Sequence, residues 1–146
     1  MQQNPSVSDE PNTGEQPRME IQVWNIDRLI LYARNPRTHS DAQVAQIAGS
    51  IRAFGFNNPI LVDTKAGIIA GHGRLLGARK LQLKEVPVIV LDHLSETQKR
   101  AYIIADNQLA LNAGWDDEML RIELAALQED NSTSTWLAST IWNSPS

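Results

Sequence analysis

The chain has 146 residues, 42% of them apolar, no cysteine, and a formal charge of −4 at neutral pH. That length and apolar share suit one globular unit with a real core, and the missing cysteine removes disulfides and thiol chemistry. No stretch is apolar for long enough to span a bilayer and the start lacks the basic-then-apolar order of a secretory signal, so a cytoplasmic protein with no membrane partner is expected.

Charge is unevenly spread: −2 over residues 1–19, +3 over 20–94, −5 over 95–130 and zero over 131–146. The middle can face an anion, whereas the acidic stretch argues against a broad nucleic-acid surface. Residues 1–19 are Gln, Asn, Pro, Ser and Glu with almost nothing apolar, and are expected to be a disordered arm. Order is expected from Glu20. Ile21-Gln22-Val23-Trp24-Asn25-Ile26 alternates as a half-buried strand does, and Asp27 to Ile30 closes it with a turn. Arg34-Asn35-Pro36-Arg37 reads as a loop, since proline lacks a donor and biases Asn35 toward an extended backbone.

Ser40-Asp41-Ala42-Gln43 is a capping-box pattern, followed by Val44, Ile47, Ile51 and Phe54 on one helical face and by Gly55 to end the helix. Ile60-Leu61-Val62 suits a central strand, and a turn over 63–67 pairs it with Ile68-Ile69-Ala70. Glu85 to Leu91 is a further strand, in which Pro87 predicts an edge or a strand end. Ser95-Glu96-Thr97-Gln98 is a second capping box, with Ala101, Ile104, Ala105 and Leu109 on the face behind it. Asp116 can cap a last helix whose Met119, Leu120, Ile122, Leu124 and Leu127 form an apolar stripe suited to packing, with Trp115 stapling its start and Trp24 in the core. Helices are therefore expected near 40–54, 73–82, 96–112 and 117–129, around a small mixed β-sheet of α/β class.

The stretch Ile68-Ile69-Ala70-Gly71-His72-Gly73-Arg74 reads as a buried strand, a glycine-flanked turn and a helix start, with Leu75, Leu76, Arg79 and Leu81 on the helix. A helix start leaves its first N–H groups unpaired and carries roughly half a positive charge. Gly71 and Gly73 would let an anion approach that backbone, and the Arg74 guanidinium can hold phosphate by two hydrogen bonds. A tight strand-to-helix turn with a solvated arginine fits the same residues, because short glycine patterns are common.

Four features in order carry a resemblance: Asn35-Pro36-Arg37, Ser50-Ile51 followed by Gly55 and Pro59-Ile60, Gly71-His72-Gly73-Arg74, and Asp106-Asn107. Residues 20–130 resemble the N-terminal domain of the ParB/sulfiredoxin superfamily, most nearly the ParB-like domains that precede bacterial and phage DNA methyltransferases. The resemblance implies an α/β fold, a nucleotide of the CTP or NTP type held with magnesium, and a role in DNA segregation or DNA modification. Carried over residue by residue, it implies phosphate contacts from Gly71 and Arg74 and a magnesium and phosphate pair in Asp106 and Asn107, whose oxygens suit that hard cation. His72 and Gly73, in the same turn, are further candidates for nucleotide-phosphate contact, and Arg34 and Arg37 are candidates for anion or DNA contacts.

The chain departs from that family in several places. ParB proteins carry Gly-Glu-Arg-Arg where this chain has Gly-His-Gly-Arg, so one cation is missing and His72 replaces a glutamate; His72 is the one candidate for a catalytic proton carrier. Sulfiredoxins use a cysteine at this position, so their chemistry is excluded. Too few residues follow 130 for the helix-turn-helix of ParB, and no adjacent prolines supply the Asp-Pro-Pro-Tyr-like motif of an amino-methyltransferase. DNA is therefore expected to be reached through a separate domain, partition machinery or a methyltransferase partner. The uncharged Ser/Thr/Trp tail at 131–146 fits either a truncated or frameshifted continuation or a plain extension. His39, His72 and His93 lack zinc-site spacing, His39 and His93 reading as loop and strand-end residues. The tryptophans are not interleaved with basic residues as in a single-strand platform. Two other readings stand beside the nucleotide module: a nuclease-like or DNA-binding ParB-type domain with no nucleotide requirement, acting through Arg34, Arg37 and Arg74, and a small-molecule kinase of the same superfamily.

Overall fold

The computed structural model describes residues 19–31 and 38–129. The expected arm up to residue 18, the Arg34-Asn35-Pro36-Arg37 loop and the tail at 131–146 lie outside the described residues. Four strands, β1 (Ile21–Asn25), β2 (Ile60–Val62), β3 (Ile68–Ala70) and β4 (Glu85–Val90), combine with four helices, α1 (Asp41–Phe54), α2 (His72–Lys80), α3 (Glu96–Asn112) and α4 (Asp117–Glu129). The class is α/β: one mixed sheet in the order β1-β4-β2-β3 with helices against it. β1 and β4 run antiparallel, β4 and β2 parallel, and β2 and β3 antiparallel.

Local chemistry sets most element ends. Ser40 Oγ accepts the Gln43 N–H at 3.1 Å while Gln43 Oε1 accepts the Ser40 N–H at 3.3 Å. Ser95 and Gln98 repeat the reciprocal pair at 3.1 and 2.8 Å. Each box satisfies donors that a helix start leaves bare. Gly55 ends α1 at a φ of 95°, and Asp116 Oδ1 accepts the Met119 N–H at the start of α4.

Alternation then divides the sheet into two faces. Ile60, Val62, Ile68, Val86 and Val88 pack with Leu75 and Ala78 of α2 and with Trp24, Ile26 and Leu29. Full burial of an aliphatic side chain of this size contributes about 1.5–3 kcal/mol, so this face is the main source of stability. On the opposite face Ile69 and Leu91 meet Ile103 of α3, with Leu61, Ile89, Leu94 and Tyr102 around them.

Four expectations fail once the elements are packed. Pro87 does not mark an edge, because β4 lies between β1 and β2. The Leu91 N–H donates to Val62 O at 2.8 Å, so strand alternation turns the Pro87 nitrogen toward β2 two steps earlier, opposite residue 58 and before β2 begins at Ile60. The missing donor falls just beyond the ladder. On α3 the expected stripe is outside: Ile104 is 60% and Leu109 69% exposed, while Ile103, one position round, is buried at 3%. The sheet selects the face that carries Ile103 and Tyr102. No residue of α4 is buried, so its stripe is not packing among the described residues, and Trp115 is 73% exposed rather than a staple.

A half-buried ion pair docks α3. Lys99 Nζ lies 2.5 Å from Asp63 Oδ2 and 3.0 Å from Glu96 Oε1, while Asp63 Oδ1 accepts the N–H groups of Lys65 and Gly67, each at 2.8 Å. Asp63 thereby closes the β2–β3 turn and holds the first turn of α3 against it. No helix among the described residues is long and apolar enough to cross a membrane.

Candidate functional site

β3 enters α2 through Gly71, which caps the helix at φ 102° and ψ 22° with no side-chain cap. The Leu75 N–H closes the first turn on Gly71 O at 3.0 Å, leaving the N–H groups of His72, Gly73 and Arg74 without intrahelical acceptors. A side chain at Gly71 would be strained at that φ and would meet Arg74 Nη2 at 3.0 Å and Ile60 Cγ1 at 3.1 Å. At Gly73 a Cβ would meet Ile47 Cδ1 at 2.8 Å and His39 Cε1 at 2.9 Å; at Gly77 it would meet Ile47 Cγ2 at 2.9 Å and the Ala48 backbone nitrogen at 3.2 Å. Gly73 and Gly77, one turn apart, therefore let α2 lie directly on α1. The expected reason for Gly71 and Gly73 was access for an anion. Protein atoms fill both Cβ positions, so packing and backbone conformation require these glycines.

A cavity of about 380 Å³ opens at this helix start. Gly71, His72, Gly73 and Arg74 form one wall, Asp106 and Asn107 of α3 another, and Ser50, Phe54 and Asn58 of α1 and the loop after it a third. The structure thus brings together six of the eight site residues expected from sequence, although more than thirty positions separate Arg74 from Asp106 and Asn107. The other two, Arg34 and Arg37, lie outside the described residues. Sequence reasoning gave no site role to His39, Ser50, Phe54 or Asn58; the Ser50-to-Pro59 pattern was the available signal for three of them.

Arg74 is half-buried rather than solvent-facing. Its Nη2 donates to Pro59 O at 3.0 Å, and its Nε is sealed from solvent with no hydrogen-bond partner. Burial pushes the guanidinium pKa down, opposed by the nearby Asp106 carboxylate. Arg74 therefore braces the end of the 55–59 loop as well as lining the cavity. His72 has its Nδ1 sealed and unbonded, and its ring stands edge-on to His39 at 6.2 Å and 85°. Burial, with a smaller push from the Arg79 charge, lowers the His72 pKa below its ordinary value. No cluster of three or more His, Cys, Asp or Glu suited to a metal ion occurs among the described residues. Asp106 supplies a carboxylate and Asn107 beside it an amide oxygen, so a cation held there would complete its shell from a bound anion and water, the usual arrangement for magnesium.

The sequence profile of the ParB N-terminal domain matches residues 10–107. The chain belongs to this family. Its sheet and helices are those of a ParB-like α/β fold. The ParB-like nuclease domain-containing protein YnaK of Escherichia coli K12 is 48% identical over 83 residues, covering 57% of this chain and 95% of that protein. The probable chromosome 2-partitioning protein ParB of Deinococcus radiodurans is 34% identical over 113 residues, 74% of this chain but 38% of its own length. The match to the probable chromosome-partitioning ParB of Rickettsia typhi spans 25% of that protein. The chain thus corresponds to a minor part of the partition proteins it matches. Among solved structures, the C-terminally truncated chromosome-partitioning ParB of Caulobacter crescentus complexed with CTP-γ-S superposes with a TM-score of 0.71 at 26% identity. That superposition covers 86% of this chain and 72% of the other.

Proposed function

We propose that the cavity at the start of α2 binds a nucleoside triphosphate of the CTP type, and that residues 20–130 form a ParB-like nucleotide module serving DNA partition or DNA modification. One observation carries the reading: Gly71 to Arg74 and Asp106-Asn107, distant in sequence, line one cavity at a helix N-terminus. Unpaired N–H groups and the helix dipole favour phosphate there, and Arg74 adds a fixed positive charge. Asp106 and Asn107 would hold magnesium jointly with phosphate oxygens, the ion neutralising charge on the ligand. The Caulobacter crescentus structure with CTP-γ-S supports nucleotide as the ligand class. DNA would be reached through a separate domain, partition machinery or a methyltransferase partner. His72 would meet the phosphate.

Calorimetric titration with CTP, UTP, ATP and GTP, each with and without magnesium, tests the reading. The expected result is magnesium-dependent binding with one base preferred. Tight, salt-resistant binding to random duplex DNA without nucleotide binding would overturn it in favour of the DNA-binding alternative, because non-specific duplex affinity should fall steeply with salt.

A further inference from the structure

We infer that ligand binding in this cavity is coupled to protonation of His72, so that the anion at the α2 N-terminus and a proton on the imidazole stabilise one another. The inference rests on the phosphate-site reading above and adds a regulation to it.

His72 is the first residue of α2 and lines the cavity. Its Nδ1 is sealed from solvent with no hydrogen-bond partner. The groups that face it are unsuited to an imidazolium when the site is empty. His39 meets it edge-on from the segment before α1, Arg79 acts on it from its own helix, and Arg74 sits two residues on. α1 contributes Ile47 and Ser50 to the cavity, which carry no charge, and among the described residues Asp106 of α3 is the one carboxylate along the lining. Asp106 acts on Arg74. The partial positive charge of the helix start opposes a proton on His72 as well. Burial and the Arg79 charge both disfavour a proton on the ring.

A phosphate or sulfate dianion reverses that balance. Opposite charge within about 4–6 Å of an ionisable group moves its pKa by roughly 1–3 units toward the charged form. The sealed Nδ1 is an unpaired buried group, which is costly to keep and favours a rearrangement that pairs it. By reciprocity, whatever the anion does to the proton the proton does to the anion. Affinity therefore rises as the pH falls between the empty-site and ligand-bound pKa values of His72, by up to about tenfold per pH unit for one coupled proton. The ParB box carries a glutamate here, so the histidine reverses the sign of the charge this position can hold.

The test is an NMR titration of the histidine ring resonances in the full chain, free and saturated with sodium sulfate, with CTP and magnesium as a second ligand. Sulfate stays a dianion throughout, so any proton taken up belongs to the protein. The expected result is a His72 pKa below the ordinary value in the free protein that rises by about one unit or more on saturation. In calorimetry, sulfate affinity should strengthen on acidification in wild type and in His39→Gln, and lose that dependence in His72→Gln, which keeps a neutral donor. An unchanged His72 pKa on saturation, or a pH dependence that survives in His72→Gln, overturns the coupling alone. No binding of sulfate or of any nucleotide at any pH overturns the phosphate-site reading, and the coupling with it.

Discussion

Replacing Arg74 with alanine removes a cavity charge and a brace in one step, and the two losses can be read separately. The brace is the Nη2 bond to Pro59 O at 3.0 Å, which ties the start of α2 to the end of the loop before β2. Hydrogen bonds involving a charged group contribute about 1.5–3 kcal/mol, and in a domain of this size each kcal/mol moves the melting temperature by about 4 °C. The expected stability loss is thus about 6–12 °C. The same guanidinium is the fixed positive charge at the helix start, and losing a charge-assisted contact of that size weakens nucleotide binding roughly tenfold to hundredfold. Arg74→Lys should recover part of each, since an ammonium keeps the charge but cannot hold Pro59 O and a phosphate with one planar fork. Thermal melts by circular dichroism and calorimetric titration of the three proteins make the measurement. An Arg74→Ala protein that melts with wild type would refute the brace, and equal nucleotide affinity in all three would remove Arg74 from the site.

Further outcomes follow from other contacts. Gly77→Ala should destabilise by about 1–2 kcal/mol in a denaturant titration although alanine is the better helix former by about 1 kcal/mol, because the new Cβ meets the Ala48 backbone nitrogen at 3.2 Å and Ile47 Cγ2 at 2.9 Å; a more stable variant would contradict that packing. Burial alone would raise the Asp63 carboxyl, but hydrogen bonds from Lys99 and from the Gly67 and Lys65 N–H groups outweigh it and hold it below 3.8. Its contribution to stability is therefore present above that value and lost as the pH falls through the lower folded value. Lys99→Met should cost about 1–2 kcal/mol at neutral pH and flatten the acid limb of the stability curve. Asp106→Asn should abolish most of the magnesium dependence of nucleotide affinity while leaving the melting temperature near wild type, and calorimetry with and without magnesium checks it. Ile103→Ala should cost about 2–4 kcal/mol whereas Ile104→Ser stays within about 0.5 kcal/mol; similar losses from both would mean that α3 presents a different face to the sheet.

The sequence by itself determined the features whose causes are local. Both capping boxes, the Gly55 stop, the Asp116 cap and the hairpin of β2 and β3 depend on residues a few positions apart, so the α/β class and all four helices were legible without coordinates. The short motifs also marked the chemistry, because a glycine-flanked helix start creates unpaired N–H groups wherever it occurs. Only the tertiary structure decided the rest. Strand order placed the Pro87 nitrogen beyond the β2 ladder, a fact about a partner strand that Pro87 cannot report. Two apolar faces compete on α3, and contact with Ile69 and Leu91 chose the one bearing Ile103. Asp63 and Lys99, 36 positions apart, became a docking pair only through the fold. Arg74 reads in sequence as an anion ligand or a solvated arginine because it follows a glycine-flanked helix start, yet chain reversal brings the Pro59 carbonyl to its guanidinium. The helix start is written in the sequence; the walls that make it a cavity come from elements that meet only when the sheet and its helices have packed.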